Sequence, residues 1–216
     1  DMIVGAPKAD SHGATSSGAS YMVFGGASLS SAPELPLAEL DGTRGFVIRG
    51  VDGGDSSGFS VCGAGDVNGD GFDDVVIGAP HADPGGVSGA GEAYVLFGGP
   101  GVGVEGSVEL SALDGANGFT VRGTATSDNL GWSVSGAGDI NGDGFADVMF
   151  GAPGVGYGAV YVVFGGPGVG MGGVLQVGAL DGANGFAILT PTSSSYSLFG
   201  SKLSAAGDVN GDGVSD

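Results

Sequence analysis

Apolar residues in this chain come in short consecutive runs rather than in helical stripes. Val75-Val76-Ile77, Val148-Met149-Phe150 and Met2-Ile3-Val4 are each stopped by Gly-Ala-Pro. A run this short, apolar on successive positions and ended by Gly and Pro, predicts a strand buried on both faces. A second class of run, Tyr21-Met22-Val23-Phe24-Gly25-Gly26, recurs as Tyr94-Val95-Leu96-Phe97-Gly98-Gly99 and Tyr161-Val162-Val163-Phe164-Gly165-Gly166. A third begins at Gly45-Phe46, Gly118-Phe119 and Gly185-Phe186, shortly after a Leu-Asp-Gly element in each case. With the Gly-led stretch that precedes them, these runs predict strands at about 58–63, 74–78, 93–97 and 118–122 in the middle copy. Turns rich in Gly, Pro and Ser separate them, as at 81–91 and 100–106. No stretch carries helical periodicity.

The runs repeat as a unit. Asp1, Asp74, Asp147 and Asp216 hold equivalent positions, spaced 73, 73 and 69 residues apart. Four short strands per unit of this length predict an all-β fold built from β-propeller-type blades of four antiparallel strands. Residues 1–56 supply strands two to four of a first blade, 57–130 a second blade and 131–199 a third. Residues 200–216 supply the first strand and loop of the next. Three repeats do not close a ring, since closed propellers typically have about four to eight blades. The end segments are complementary pieces of one blade, so self-association through open blade edges is expected.

Each strand pair is joined by the same nine-residue loop: Asp66 to Asp74, Asp139 to Asp147 and Asp208 to Asp216, all reading Asp-x-Asn-Gly-Asp-Gly-x-x-Asp. Oxygen side chains stand at positions 1, 3, 5 and 9, and a tightly turning loop points such alternate groups and one carbonyl inward. Carboxylates held about 5 Å apart repel by roughly 3 kcal/mol per pair at an effective dielectric near 20. A cation therefore belongs to the folded loop, and oxygen-only ligands predict Ca2+. The expected ligands are Asp66, Asn68, Asp70, the Phe72 carbonyl and Asp74, then Asp139, Asn141, Asp143, the Phe145 carbonyl and Asp147. The third set is Asp208, Asn210, Asp212, the Val214 carbonyl and Asp216, and Asp1 stands at the last ligand position of a further loop. An EF-hand would carry a Glu at position 12 and enter a helix. Position 12 of the first loop is Ile77, inside a strand-like run, so the loop joins a β-hairpin instead.

Charge narrows the partners. The chain has 216 residues, 50 of them Gly, and a formal charge of −19 with only five basic residues. Lys8, Lys202, Arg44, Arg49 and Arg122 make no basic patch, which argues against nucleic acid and anionic membrane. An apolar fraction of 41%, with Gly at recurring positions, separates the chain from low-complexity disorder. The single cysteine, Cys62, aligns with Ser135 and Ser204 and reads as a small-residue slot, with no disulfide framework. No membrane-spanning run is visible.

The other polar candidates read more plainly. Asp73 is replaced by Ala146 and Ser215 in the other loops and reads as solvated. Asp41, Asp114 and Asp181 read as turn formers. His12 and His81 read as surface residues, and Phe59 with Trp132 as packing between blades. No nucleophile–base order repeats, and carboxylates engaged on a cation are not free for acid–base work, so no enzyme is predicted.

The three Asp-x-Asn-Gly-Asp-Gly-x-x-Asp loops, the Gly-Ala-Pro strand ends and the Gly-led strand before each loop resemble the FG-GAP repeats of integrin α-chain propellers and their bacterial relatives. The literal Phe-Gly pair stands only at Phe199-Gly200, with Ser57-Gly58 and Leu130-Gly131 in its place elsewhere. The resemblance implies calcium bound between the first two strands of a blade and partner recognition on the opposite face. The leading functional expectation is a calcium-stabilised propeller segment of a secreted or cell-surface protein, acting in recognition or adhesion toward a protein or glycan. The alternatives are a structural repeat unit of an extracellular fibre or surface layer, and a non-catalytic propeller attached to an enzyme.

Overall fold

The computed structural model describes residues 1–26, 34–190 and 198–216. Its elements in chain order are β1 (Met2–Ala6), β2 (Ala19–Val23), β3 (Gly45–Arg49), β4 (Ser60–Gly65), β5 (Asp74–Ala79) and β6 (Glu92–Leu96). Then come β7 (Ser107–Glu109), β8 (Gly118–Arg122), β9 (Ser133–Gly138), β10 (Asp147–Ala152), β11 (Ala159–Val163), β12 (Val174–Gln176) and β13 (Gly185–Leu189). The only helical pieces among the described residues are single 3-10 turns, including Leu37–Glu39, Leu110–Ala112 and Val177–Ala179.

Three sheets form, ordered β1-β2-β3-β7, β12-β8-β6-β5-β4 and β13-β11-β10-β9. The antiparallel meander within each is the blade the repeat pattern predicts, and among the described residues no sheet closes on itself. β5 and β6 are apolar on consecutive positions because both of their faces are covered. Ile77 and Tyr94 look toward the first blade, into a core with Met22, Phe46, Ile48 and Leu110. Val76 and Val95 look the other way, into a core with Phe119, Val134, Val148 and Phe150. Each fully buried Ile, Val or Phe contributes about 1.5–3 kcal/mol, and here that apolar burial lies between blades rather than inside one.

Two features depart from the sequence expectation. The turn regions after Gly98-Gly99 and Gly165-Gly166 each contain a three-residue strand that reaches back to the preceding blade. β7 pairs in parallel with β3, and β12 in parallel with β8. These clasps have no run long enough to register as strands, and their partner lies in another repeat. Residues 200–216, expected to open with a strand, form none in this structure. Among the described residues, its ladder contact is a single bridge just before it, between Gly158 and Phe199. It does lie on the third blade, where Ser133 Oγ donates to the Gly200 carbonyl at 2.6 Å.

Candidate functional site

The β4–β5 and β9–β10 hairpins carry the first two carboxylate loops at one end of their blades. The ladder slips by one residue beside each loop, between Gly63 and Gly65 and between Asp147 and Val148. Such a bulge bends the strand and re-aims the residues beyond it. Inside the loop, Gly69 and Gly71 take φ of 80° and 90°, which only glycine adopts without strain.

The first aspartate organises the turn. Asp66 Oδ1 accepts the Gly69 and Asp70 N–H groups at 2.7 and 3.0 Å, and Oδ2 accepts Gly71 N–H at 2.9 Å. Asn68 Oδ1 accepts Asp70 N–H, while its amide donates to Asp70 Oδ2. Asp70 Oδ1 accepts Phe72 N–H at 2.9 Å. The second loop repeats the pattern at Asp139, Asn141 and Asp143. The third repeats the backbone N–H contacts at Asp208, Asn210 and Asp212, but its Asn210 amide donates to Asp216 Oδ1 at 3.3 Å instead. The sequence therefore brings positions 1, 3 and 5 together in all three copies.

The closing aspartates behave differently. Asp74 is 1% exposed and Asp147 0%. Asp74 Oδ2 accepts Val67 N–H and Oδ1 accepts Gly98 N–H, both at 2.8 Å, so one carboxylate ties the loop to the next hairpin. Asp147 does the same with Ile140 and Gly165. Asp1 accepts Gly25 N–H at 2.8 Å, as Asp74 accepts that of Gly98, and Asp216 accepts Val209 N–H. Burial pushes the Asp74 carboxyl up to about 6, against the pull of its two N–H donors, with Asp70 and Asp66 adding repulsion. Asp147 is raised for the same reasons.

The donor set is entirely oxygen, which suits a hard divalent cation and not a soft one. Among the described residues, no three His, Cys, Asp or Glu side chains gather into a metal-holding cluster. Each closing carboxylate turns to backbone N–H groups.

The remaining candidates fall where their bland readings put them. Asp73 is exposed. Asp41 accepts Thr43 N–H and Oγ1–H, and Asp114 and Asp181 accept Ala116 and Ala183 N–H, as turn formers do. Phe59 and Trp132, from adjacent blades, meet with ring centroids 4.9 Å apart. His81 lies edge-on to both and its Nδ1 is 3.3 Å from Ser56 Oγ. His12 stands at the surface, 3.6 Å from Glu109. Cys62 is half-buried against the second core, as a small-residue slot requires.

A polar group that the sequence reading missed lies at the other end of the middle blade. Glu92, 7% exposed, accepts Tyr94 Oη–H at 2.7 Å and Arg122 Nε–H at 2.8 Å. Asp55 is buried nearby. Its only repeat signal is Asp128, 73 residues on and also buried, which accepts Thr124 and Ala125 N–H. Glu92 has no such signal, because Ala19 and Ala159 hold its equivalent positions.

The profile of the FG-GAP repeat matches residues 57–96 and 130–163, the two hairpin regions that carry the first two loops. Integrin alpha-PS2 of Drosophila melanogaster is 36% identical over 113 residues, which is 50% of this chain and 7% of that protein. Integrin alpha-PS3 of the same organism is 31% identical over 170 residues, 79% of this chain and 14% of the relative. Phosphatidylinositol-glycan-specific phospholipase D of Bos taurus is 29% identical over 153 residues, 71% of this chain and 17% of that enzyme. The chain thus spans under a fifth of the length of each. No helix among the described residues is long and apolar enough to cross a membrane.

Proposed function

Because the chain belongs to the FG-GAP repeat family, we propose that this integrin-like propeller segment is a calcium-stabilised recognition module displayed outside the cell. The observation that carries this reading is the threefold loop. Three independent stretches spend their Asp and Asn oxygens on the same turn, at positions 1, 3 and 5, and anchor it with a ninth-position aspartate. Asp66, Asn68, Asp70, the Phe72 carbonyl and Asp74 hold the ion in the first loop. The equivalent sets from Asp139 to Asp147 and from Asp208 to Asp216 hold it in the others. The ion neutralises carboxylate repulsion and braces the turn between two strands, so its role is structural. Weak oxygen sites of this kind fill in the millimolar calcium of the extracellular medium. The acidic surface leaves protein or glycan as partner and offers nothing to nucleic acid. No catalytic role is assigned to this segment. The test is the triple variant Asp70→Ala, Asp143→Ala and Asp212→Ala. Its melting temperature in calcium should fall to that of the wild type in chelator, and a wild type indifferent to chelator would reject the structural ion.

A further inference from the structure

Neighbouring carboxylate loops touch, and they touch through the peptide units that carry their own donor groups. In the second loop one peptide unit holds both the Phe145 carbonyl, the seventh-position ligand, and the N–H of Ala146. That N–H donates to the Asp66 carbonyl of the first loop at 3.0 Å. On the far side of the Asp66 peptide, Val67 N–H donates to Asp74 Oδ2, the closing carboxylate of the first loop, at 2.8 Å. Two peptide units thus join a ligand of one loop to a ligand of the next. The third and second loops are joined in the same way. Ser215 N–H, in the peptide of the Val214 carbonyl, donates to the Asp139 carbonyl at 3.1 Å, and Ile140 N–H donates to Asp147 Oδ2 at 2.9 Å.

A second connection runs beside the first. Asp147 Oδ1 accepts Gly165 N–H, and the next N–H, that of Gly166, donates to the Val67 carbonyl at 2.8 Å. Val67, Asp74 and Asp147 are all buried, which keeps solvent from these bonds. The Phe145 ring lies where a Cβ on Gly69 would stand, so the seventh position of one loop covers the fourth of the other.

Two effects make such contacts transmit binding. Hydrogen bonds in line polarise one another, so a carbonyl engaged on a cation makes its own peptide N–H a stronger donor. Along this line the gain reaches Asp74 as a firmer hold on its Oδ2. Ordering is shared as well. A second loop fixed in its ligating form also fixes Asp66, Val67 and Gly69, so part of the entropy of arranging the first loop is already spent.

We propose that the loops bind calcium with positive cooperativity, each filled loop raising the affinity of its neighbour through the Ala146–Asp66 and Ser215–Asp139 contacts. This coupling rests on the calcium reading above and goes beyond it, since independent sites would satisfy that reading equally. The effect is reciprocal by linkage, and the middle loop, joined to both others, carries it.

The experiment is a calcium titration of the full chain against a competing chromophoric chelator, with Asp70→Ala and Asp143→Ala as variants. Each variant takes one donor from one loop and leaves two loops complete. In Asp70→Ala the complete loops are neighbours, whereas in Asp143→Ala the disabled loop lies between them. Coupling of about fivefold, the lower end of the usual range, gives a pair of sites a Hill coefficient of about 1.4. The wild type and Asp70→Ala should reach at least that value. Asp143→Ala should fall to roughly 1, with a higher half-saturation concentration than Asp70→Ala. Binding of two ions by a variant also shows that its intact loops are folded, and the wild-type isotherm decides without them. A wild type that binds calcium with a Hill coefficient of roughly 1 would overturn the coupling and leave the calcium reading standing. An Asp143→Ala variant as cooperative as Asp70→Ala would do the same. A wild type that binds no calcium would overturn both.

Discussion

Replacing Gly78 with alanine puts a methyl group where two blades touch backbone to backbone. Gly78 is the glycine of the Gly-Ala-Pro strand end on β5, and the second blade meets the third at Gly131 there. A Cβ on Gly78 would overlap the Gly131 carbonyl oxygen and lie 2.9 Å from its carbonyl carbon and 3.2 Å from its Cα. None of these atoms can swing aside as a side chain would. Gly131 is itself tied by its N–H to the Gly151 carbonyl at 3.1 Å. Relief therefore requires the blades to separate, which exposes the apolar cluster between them. Overpacking of this kind costs about 3 kcal/mol, the upper end of the usual range. In a chain of this size 1 kcal/mol moves the melting temperature by roughly 2–4 °C, so Gly78→Ala should lower it by about 6–12 °C. Gly71→Ala is the control: φ is 90° there but no heavy atom lies within 4 Å of the added Cβ. Only backbone strain of about 1–2 kcal/mol applies to it. Thermal melts followed by circular dichroism compare the two. Equal shifts would mean that the glycine serves local conformation and that blade contact does not require it.

Two further perturbations probe the buried polar group of the middle blade. Burial pushes the Asp55 carboxyl up to about 6, with Asp52, Glu92 and Asp83 adding repulsion. Folding thus favours the protonated acid, so the destabilisation is absent below the ordinary value of 3.8 and complete above 6. Asp55→Asn should match the wild type in melting temperature below that window and exceed it above; parallel pH profiles would contradict this. Tyr94→Phe leaves Glu92 with Arg122 as its remaining side-chain partner. The cost should be about 1–3 kcal/mol, read as a lower melting temperature, and an unchanged one would mean that the 2.7 Å bond is dispensable.

The blade meander and the loop positions were legible because both are written in residues adjacent along the chain. Val75-Val76-Ile77 before Gly-Ala-Pro marks a strand covered on both faces, and Asp66 with Asn68 and Asp70 marks the turn that organises itself around one carboxylate. The features that escaped depend on distant partners. Ser107–Glu109 is a strand only because Val47–Arg49 lies beside it, and nothing in Ser-Val-Glu alone distinguishes it from loop. The same limit hid the destination of Asp74. Its spacing marks it as the last oxygen of a loop, whereas its hydrogen bonds to Val67 and Gly98 make it the link between two hairpins. Glu92 was illegible for a third reason, since a polar residue used in one repeat leaves no periodic trace.

The most direct test of the calcium loops is a count of bound ions by native mass spectrometry at neutral pH, with calcium and after chelation. Three calcium ions per chain, one for each complete Asp-x-Asn-Gly-Asp-Gly-x-x-Asp loop, is the predicted result. A mass that carries no calcium under either condition would contradict it, and would leave the backbone hydrogen bonds of Asp66, Asp139 and Asp208 as the sole support of the turns.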